Sequence, residues 1–291
     1  MRILILGGDG MLGHQLLRSF ENSQHEVRAT LRGSLSSYQY GIFNAVNTIP
    51  GVTAERLDTV VRAFDEHRPD AVINAIGIIK QRPAAHDAVA SVQINALFPH
   101  QLAFLCGERR IRLVHMSTDC VFSGRKGRYQ ERDIPDPVDL YGRSKLLGEL
   151  GESPCITLRT SIVGLELSRK ASLIEWYLGQ RGTIRGFARA IYSGFTTLEM
   201  ARIIERMLVE HRELSGIWHV ASAPISKFEL LTRLTALLRR DDIAVERDES
   251  FVCDRSMDGS QFESRTGYVP PAWDAMLAEL AEQILSRKTA S

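Results

Sequence analysis

Arg2-Ile3-Leu4-Ile5-Leu6-Gly7-Gly8-Asp9-Gly10-Met11-Leu12-Gly13 decides how the rest of the chain is read. Ile3 to Leu6 is an apolar run of strand length, with no alternating polar positions to suggest a wet face. Gly8, Gly10 and Gly13 fit G-x-G-x-x-G, and Gly7, Gly10 and Gly13 fit the looser G-x-x-G-x-x-G. His14 to Phe20 follows, with Leu16, Leu17 and Phe20 on one helical face. Strand, glycine turn and helix in this order make the entry to a dinucleotide site. Glycine lets the chain turn tightly, and the N–H groups at the helix start meet a pyrophosphate that the helix dipole favours. Gly7, Gly10, Met11, Leu12 and Gly13 are the candidate contacts of that cofactor.

The second strand is Glu26 to Leu31. An NAD site usually carries a carboxylate about 20 residues after the glycines, where it accepts from the adenosine ribose. Here the strand ends in Leu31-Arg32-Gly33. The acid is missing and a cation follows, which points to NADPH, whose 2′-phosphate Arg32 can pair with, and leaves NADH open. Residues 34–53 read as a loop with room for one short strand, and Ala54 to His67 as a helix with Leu57, Val60, Val61 and Phe64 on its stripe. Ala71 to Gly77 is a further buried strand, whose Asn74, Ala75 and Gly77 fall at a carboxyl edge near the cofactor. A helix from Asp87 to Gly107 carries Asn95 at its centre, a residue placed to order the site's backbone or water.

Ile111 to Met116 is another doubly buried strand, ending at the hydroxyls of Ser117 and Thr118. Leu140 to Leu150 then reads as a helix, on which Tyr141 and Lys145 are i and i+4 and share a face. A phenol is a poor acid at neutral pH, and a fixed ammonium beside it favours the phenolate. Tyr141 and Lys145 thus predict a proton donor for a carbonyl, with a strand-end hydroxyl to hold the carbonyl oxygen. Cys155 to Thr160 supplies one more strand. The alternation demands an α/β fold, a Rossmann-type doubly wound parallel sheet, and ligands lie beyond the carboxyl ends of such strands.

Composition narrows the classes. The 291 residues are 44% hydrophobic, enough for a sizeable core, and the formal charge is +1. Such a balance gives no global field for nucleic acid or an anionic membrane, and no apolar run approaches the roughly 20 residues of a bilayer span. Cys106, Cys120, Cys155 and Cys253 are scattered without a Cys-x-x-Cys pair, so neither a metal site nor a disulfide framework is expected. Arg2 to Leu6 is too short for a signal peptide, and a cytoplasmic location is expected. The sequence leaves the oligomeric state open, a homodimer among the options.

Gly7-x-x-Gly10-x-x-Gly13, Ser117-Thr118-Asp119-Cys120-Val121-Phe122-Ser123-Gly124, Tyr141-x-x-x-Lys145 with Gly148-Glu149, and Leu158-Arg159 resemble the extended short-chain dehydrogenase/reductases, most closely the dTDP-4-dehydrorhamnose reductase-like branch. Gly194-Phe195-Thr196-Thr197 resembles that branch's G-x-P-T turn and Gly216 to Val220 its late strand. The resemblance implies an NADPH-dependent reductase of a 4-keto group on a nucleotide-diphosphate deoxysugar, in polysaccharide or cell-surface sugar biosynthesis. It implies Thr118 as holder of the substrate oxygen, Tyr141 as acid, and Lys145 as the residue that binds the nicotinamide ribose and lowers the tyrosine pKa. Two departures stand out: Cys120 replaces the usual tyrosine, and Thr196 replaces the proline of the turn.

Residues 1–164 are expected to form the dinucleotide-binding domain, with 193–222 returning to it, and 165–192 with 223–291 a smaller C-terminal substrate-binding domain. In the branch the small domain closes over the nucleotide-sugar, which implies Arg159, Arg185 and Arg255, with Ser117 and Thr118, as its ligands. A nucleotide-sugar 4-epimerase shares the fold. A 4,6-dehydratase would need a glutamate where Cys120 stands. A non-catalytic NADP-binding regulatory subunit, like that of methionine adenosyltransferase, is the rival from another class.

Overall fold

The computed structural model describes residues 1–79, 87–168 and 170–289. The chain begins with β1 (Arg2–Leu6), α1 (Met11–Ser19), β2 (Glu26–Leu31), β3 (Thr48–Pro50), α2 (Leu57–His67) and β4 (Ala71–Asn74). A long helical segment follows, made of α3 (Ala88–Ser91), a π-turn (Val92–Leu97) and α4 (Phe98–Glu108). Next come β5 (Arg112–Thr118), α5 (Leu140–Leu147) and β6 (Cys155–Thr160). The remaining elements are β7 (Ile162–Val163), α6 (Leu173–Leu178), β8 (Gly182–Phe187), β9 (Ala190–Tyr192), β10 (Phe195–Thr196), α7 (Thr197–Val209), β11 (Gly216–His219), β12 (Ile225–Ser226), α8 (Lys227–Leu237), β13 (Ile243–Asp248), β14 (Cys253–Asp254), α9 (Ser260–Thr266) and α10 (Trp273–Thr289).

The main sheet is seven-stranded and parallel throughout, in the order β3-β2-β1-β4-β5-β6-β11. This is the doubly wound Rossmann arrangement. Its strands read as continuous apolar runs because each face has its own cover. Ile3, Ile5, Ile73, Val114 and Leu158 join Leu16 of α1, Phe20 at its C-terminal cap, and Met200, Ile204 and Met207 of α7 on one side. Leu4, Leu6, Val72 and Leu113 pack on the other side with Val60 and Phe64 of α2 and Phe98 and Leu102 of α4. Strands β8 and β13 pair with each other, and β12, β9 and β14 form a three-stranded sheet. Their buried Ile184, Tyr192, Ile225 and Ile243 nevertheless belong, with Leu230 of α8, to the same apolar cluster as Ile3 and Ile5.

One open expectation is met, and three details differ. The strand allowed within residues 34–53 is real and closes the sheet as β3, its Thr48 aligned with Ala29. The helix expected from Ala54 starts at Leu57, because Thr53 and Arg56 bridge each other and the Thr59 hydroxyl donates to the Arg56 carbonyl at 2.6 Å. The helix expected over Asp87–Gly107 widens at Val92–Leu97. There the Asn95 Oδ1 accepts from Ile78 N (2.9 Å), and its Nδ2 donates to Ile78 O (3.0 Å) and Ser144 Oγ (3.1 Å). Gly148 packs directly on this turn, and a Cβ there would lie 1.9 Å from the Asn95 carbonyl oxygen. Ala88–Glu108, with a mean hydropathy of 1.2 over its best window, is long and apolar enough to cross a bilayer, unlike what the sequence reading allowed. Its Ile94, Phe98, Leu102 and Cys106 are committed to the sheet.

Candidate active site

The carboxyl ends of β1, β4, β5 and β6 open into one cleft of about 550 Å³. Gly7, Asp9, Gly10, Met11 and Leu12 line its near end. Gly7 adopts the left-handed region (φ +87°), and its N–H donates to Thr30 Oγ1 at 3.1 Å, tying the turn to β2. Gly13 stays behind the lining and sets the approach of α1 to β1, since a Cβ there would lie 2.0 Å from the Gly7 carbonyl oxygen. The N-cap residue of α1 is Gly10, which brings no side chain of its own to the helix start. Its first N–H groups, beside glycines that leave room for a pyrophosphate, therefore fit a dinucleotide. Arg32 lines the same end, 3.5 Å from Glu55 and mostly exposed.

Thr118, Tyr141 and Lys145 meet in the middle of the cleft. The Asp139 carboxylate accepts from Gly142 N at 2.8 Å and fixes the start of α5, so Tyr141 and Lys145 project one turn apart. Thr118 Oγ1 donates to Asp119 Oδ1 (3.1 Å), accepts from Cys120 N (3.1 Å) and reaches the Tyr141 phenol. Burial raises the Tyr141 pKa, Cys120 adds to the rise, and the Thr118 bond opposes it. Lys145 Nζ donates to Met116 O at 2.6 Å, and burial brings its pKa down to about 8, partly offset by Glu149. Desolvation dominates at Tyr141, and the phenol holds its proton at neutral pH. A protonated phenol, a hydroxyl and an ammonium now face the dinucleotide turn across a single cleft.

Residues 1–286 match the family described as RmlD substrate binding domain. The chain belongs to this family. The RmlD-family chain is 31% identical over 241 residues to the dTDP-4-dehydrorhamnose reductase of Burkholderia thailandensis, covering 77% of this chain and 73% of that protein. It is 33% identical over 150 residues to the probable low-salt glycan biosynthesis reductase Agl14 of Haloferax volcanii, 51% of this chain and 48% of that protein. The match thus spans about half the length of that curated relative. The crystal structure of the Bacillus anthracis dTDP-4-dehydrorhamnose reductase in complex with NADP superposes with a TM-score of 0.77 at 21% identity, covering 97% of this chain and 99% of that one. At that identity the likeness is one of fold.

Several expected site residues of this RmlD-family chain lie elsewhere. Ala75 and Gly77 line the cleft, but Asn74 sits behind it, its amide donating to His115 Nδ1 (3.1 Å) and its Oδ1 accepting from Ile76 N (3.2 Å). Asn95 is likewise outside the lining and acts on the Ile78 backbone and Ser144. Arg159 is the clearest correction. Its Nε and Nη2 donate to Glu149 Oε1 and Oε2 at 2.8 and 2.6 Å, with both side chains at most 5% exposed. A third donor, Nη1, reaches Nε2 of His219 (3.2 Å), whose pKa burial and then Arg159 push down to about 4 and whose Nδ1–H donates to Tyr129 O (3.0 Å). Strand alternation explains the miss: Thr160, the next residue, lines the cleft, and Arg159 points to the opposite face. Ser117 lines the cleft but spends its hydroxyl on Glu149 Oε1 at 2.6 Å.

Arg185 is also outside the cleft. It stands on β8, its side chain 80% exposed and 3.9 Å from Asp248, beside a shallow groove with Trp176 and Phe187. Arg255 does face the cleft, its Nε donating to Phe122 O (2.9 Å) and Nη1 to the Cys120 sulfur (3.5 Å). The far wall also holds Tyr192, Lys227 and Cys253, which sequence reasoning did not single out. They come from strands of two or three residues and one helix start, too short to show a period. Thr196, the departure from the family's proline, caps α7 by accepting from Glu199 N at 3.3 Å.

Proposed function

We propose that this chain is an NADPH-dependent reductase of a 4-keto group on a nucleotide-diphosphate deoxysugar. The observation that carries the reading is the convergence of Thr118, Tyr141 and Lys145 with the Gly7–Gly13 turn in one cleft. NADPH on that turn would supply the hydride. Tyr141, kept protonated by burial, gives its proton to the carbonyl oxygen. Thr118 holds the same oxygen in position, and Lys145 orients the nicotinamide ribose and restores charge near the phenol. Arg255 pairs with the diphosphate of the substrate. The names of the Burkholderia and Haloferax relatives and the NADP bound to the Bacillus structure support substrate and cofactor alike. Arg32, with no acid at the end of β2, supports NADPH over NADH.

The deciding experiment follows nicotinamide oxidation with dTDP-4-keto-6-deoxy-D-glucose, its epimer series and the corresponding UDP sugars. Turnover with at least one of them, faster with NADPH than with NADH, is the expected outcome. Tight NADPH binding with no turnover of any of them would overturn the reductase and leave a nucleotide-binding subunit.

A further inference from the structure

Tyr192 of β9 lines the cleft and is 7% exposed. Its backbone is fixed by the pairing of Ile225 with Tyr192 between β12 and β9. The ring is fixed as well, edge-on to Trp273 at 5.8 Å and 79°, with the Trp273 indole N–H donating to Ala223 O at 2.7 Å. The phenolic Oη has no hydrogen-bond partner among the described residues. A hydroxyl held rigidly, desolvated and unpaired at the wall of a ligand cleft is costly unless a ligand completes it.

The neighbouring chemistry restricts what that ligand group can be. Asp119 is the charged residue whose field reaches the Tyr192 phenol. It is itself 7% exposed, lines the same cleft and accepts from Thr118 Oγ1, the hydroxyl that reaches Tyr141. A phosphate oxygen between Tyr192 and Asp119 would face a carboxyl group and could donate nothing to it. A sugar hydroxyl both accepts and donates, so it satisfies the phenol and the carboxyl at once. Because Asp119 and Thr118 are consecutive, the group lies next to the carbonyl held by Thr118 and Tyr141. The cations of this wall, Arg255 and Lys227, remain for the diphosphate.

We propose that Tyr192 is a specificity-determining residue, its Oη donating to the ring hydroxyl on the carbon beside the reduced carbonyl while that hydroxyl donates to Asp119. The proposal rests on the keto-sugar reading above and adds a requirement to it: the substrate carries a free hydroxyl at the position next to the keto group. A site built to bond a substrate hydroxyl rejects the analogue that lacks it by roughly 10⁴ or more at the strong end.

The test compares dTDP-4-keto-6-deoxy-D-glucose with its 3-deoxy analogue, using the full chain with NADPH. The unmodified protein should favour the hydroxylated sugar by about 100-fold or more in kcat/KM. In Tyr192→Phe, which keeps the ring against Trp273, that ratio should fall to about tenfold or less, with the loss confined to the hydroxylated sugar and NADPH affinity within about twofold. A merely structural role would lower both substrates together and keep the ratio, and that result overturns the assignment. Equal use of both sugars by the unmodified protein overturns it too, while leaving the reductase reading intact. Where another nucleotide-sugar of the panel above is the one reduced, the same comparison is made with its 3-deoxy analogue, and reduction of none of the panel, despite NADPH binding, sinks the reductase reading and this proposal with it.

Discussion

Arg159 and Arg255 occupy opposite sides of the same sheet edge. Behind β6, Arg159 is enclosed with Glu149, and its charge is cancelled by a bidentate carboxylate. In front, Arg255 leans on a carbonyl and on the Cys120 thiol, whose pKa burial pushes up to about 12, so both partners are neutral. The guanidinium is the same group in both places, and its partners decide its use. A paired charge locks β6 to the end of α5. A guanidinium whose hydrogen bonds go to neutral acceptors, with the Asp119 and Asp139 carboxyl groups acting on it only through their fields, keeps donors for a ligand.

The largest expected effect is on the enclosed side. Arg159→Ala leaves Glu149 buried without its partner and should destabilise the fold by about 3–5 kcal/mol. Chemical denaturation would measure it, and a loss below about 1 kcal/mol would mean that the network is not a buried pair at all. Next comes Tyr141→Phe, which should lower turnover by about 10² to 10⁴ with the unfolding midpoint and NADPH affinity retained. Near-normal turnover there would remove Tyr141 as the acid. Arg255→Ala should raise KM for the nucleotide-sugar by about tenfold or more and leave stability nearly unchanged, reversing the pattern of Arg159→Ala. Matching effects of the two arginine variants, in either direction, would erase the distinction between the two sides.

The smallest effect is a pH dependence. Burial lowers the Lys145 pKa to about 8, so its charge is full below that value and fades as pH rises through it. NADPH affinity should therefore be flat below about pH 8 and fall by up to about tenfold per pH unit above it. Calorimetric titration at several pH values checks this, and Lys145→Met should flatten the profile. A fall on the acid side instead would place the titrating group elsewhere.

The near end of the cleft was legible because its chemistry is contiguous. Glycines follow a strand and open a helix, and Tyr141 and Lys145 lie one turn apart on a short helix, so local spacing carried the geometry. Arg159 was misread because β6 is buried on both faces, so burial gives no sign of which face looks into the cleft. Thr157 held the one available clue: it shares the face of Arg159 and is buried, its hydroxyl bonded to Leu150 N and O at 3.0 and 2.9 Å. The far wall was illegible for a different reason. Tyr192 and Lys227 are brought beside Arg255, which the family resemblance had already pointed to, by pairings between β9, β12 and β14, contacts that depend on the whole fold.

The wide turn at Val92–Leu97 has a consequence for how this chain can vary. A π-turn holds one residue more than an α-turn, and each residue rotates a helix by roughly 100°. Removing one residue from it would turn it into an ordinary α-turn, and the helix on either side would keep its phase, so Phe98, Leu102 and Cys106 would stay on the sheet. What would go is the bulge that carries Asn95 to the Ile78 backbone and to Ser144. The extra residue is a local insertion: a single-codon deletion here is one that the sheet would tolerate and the cleft would not.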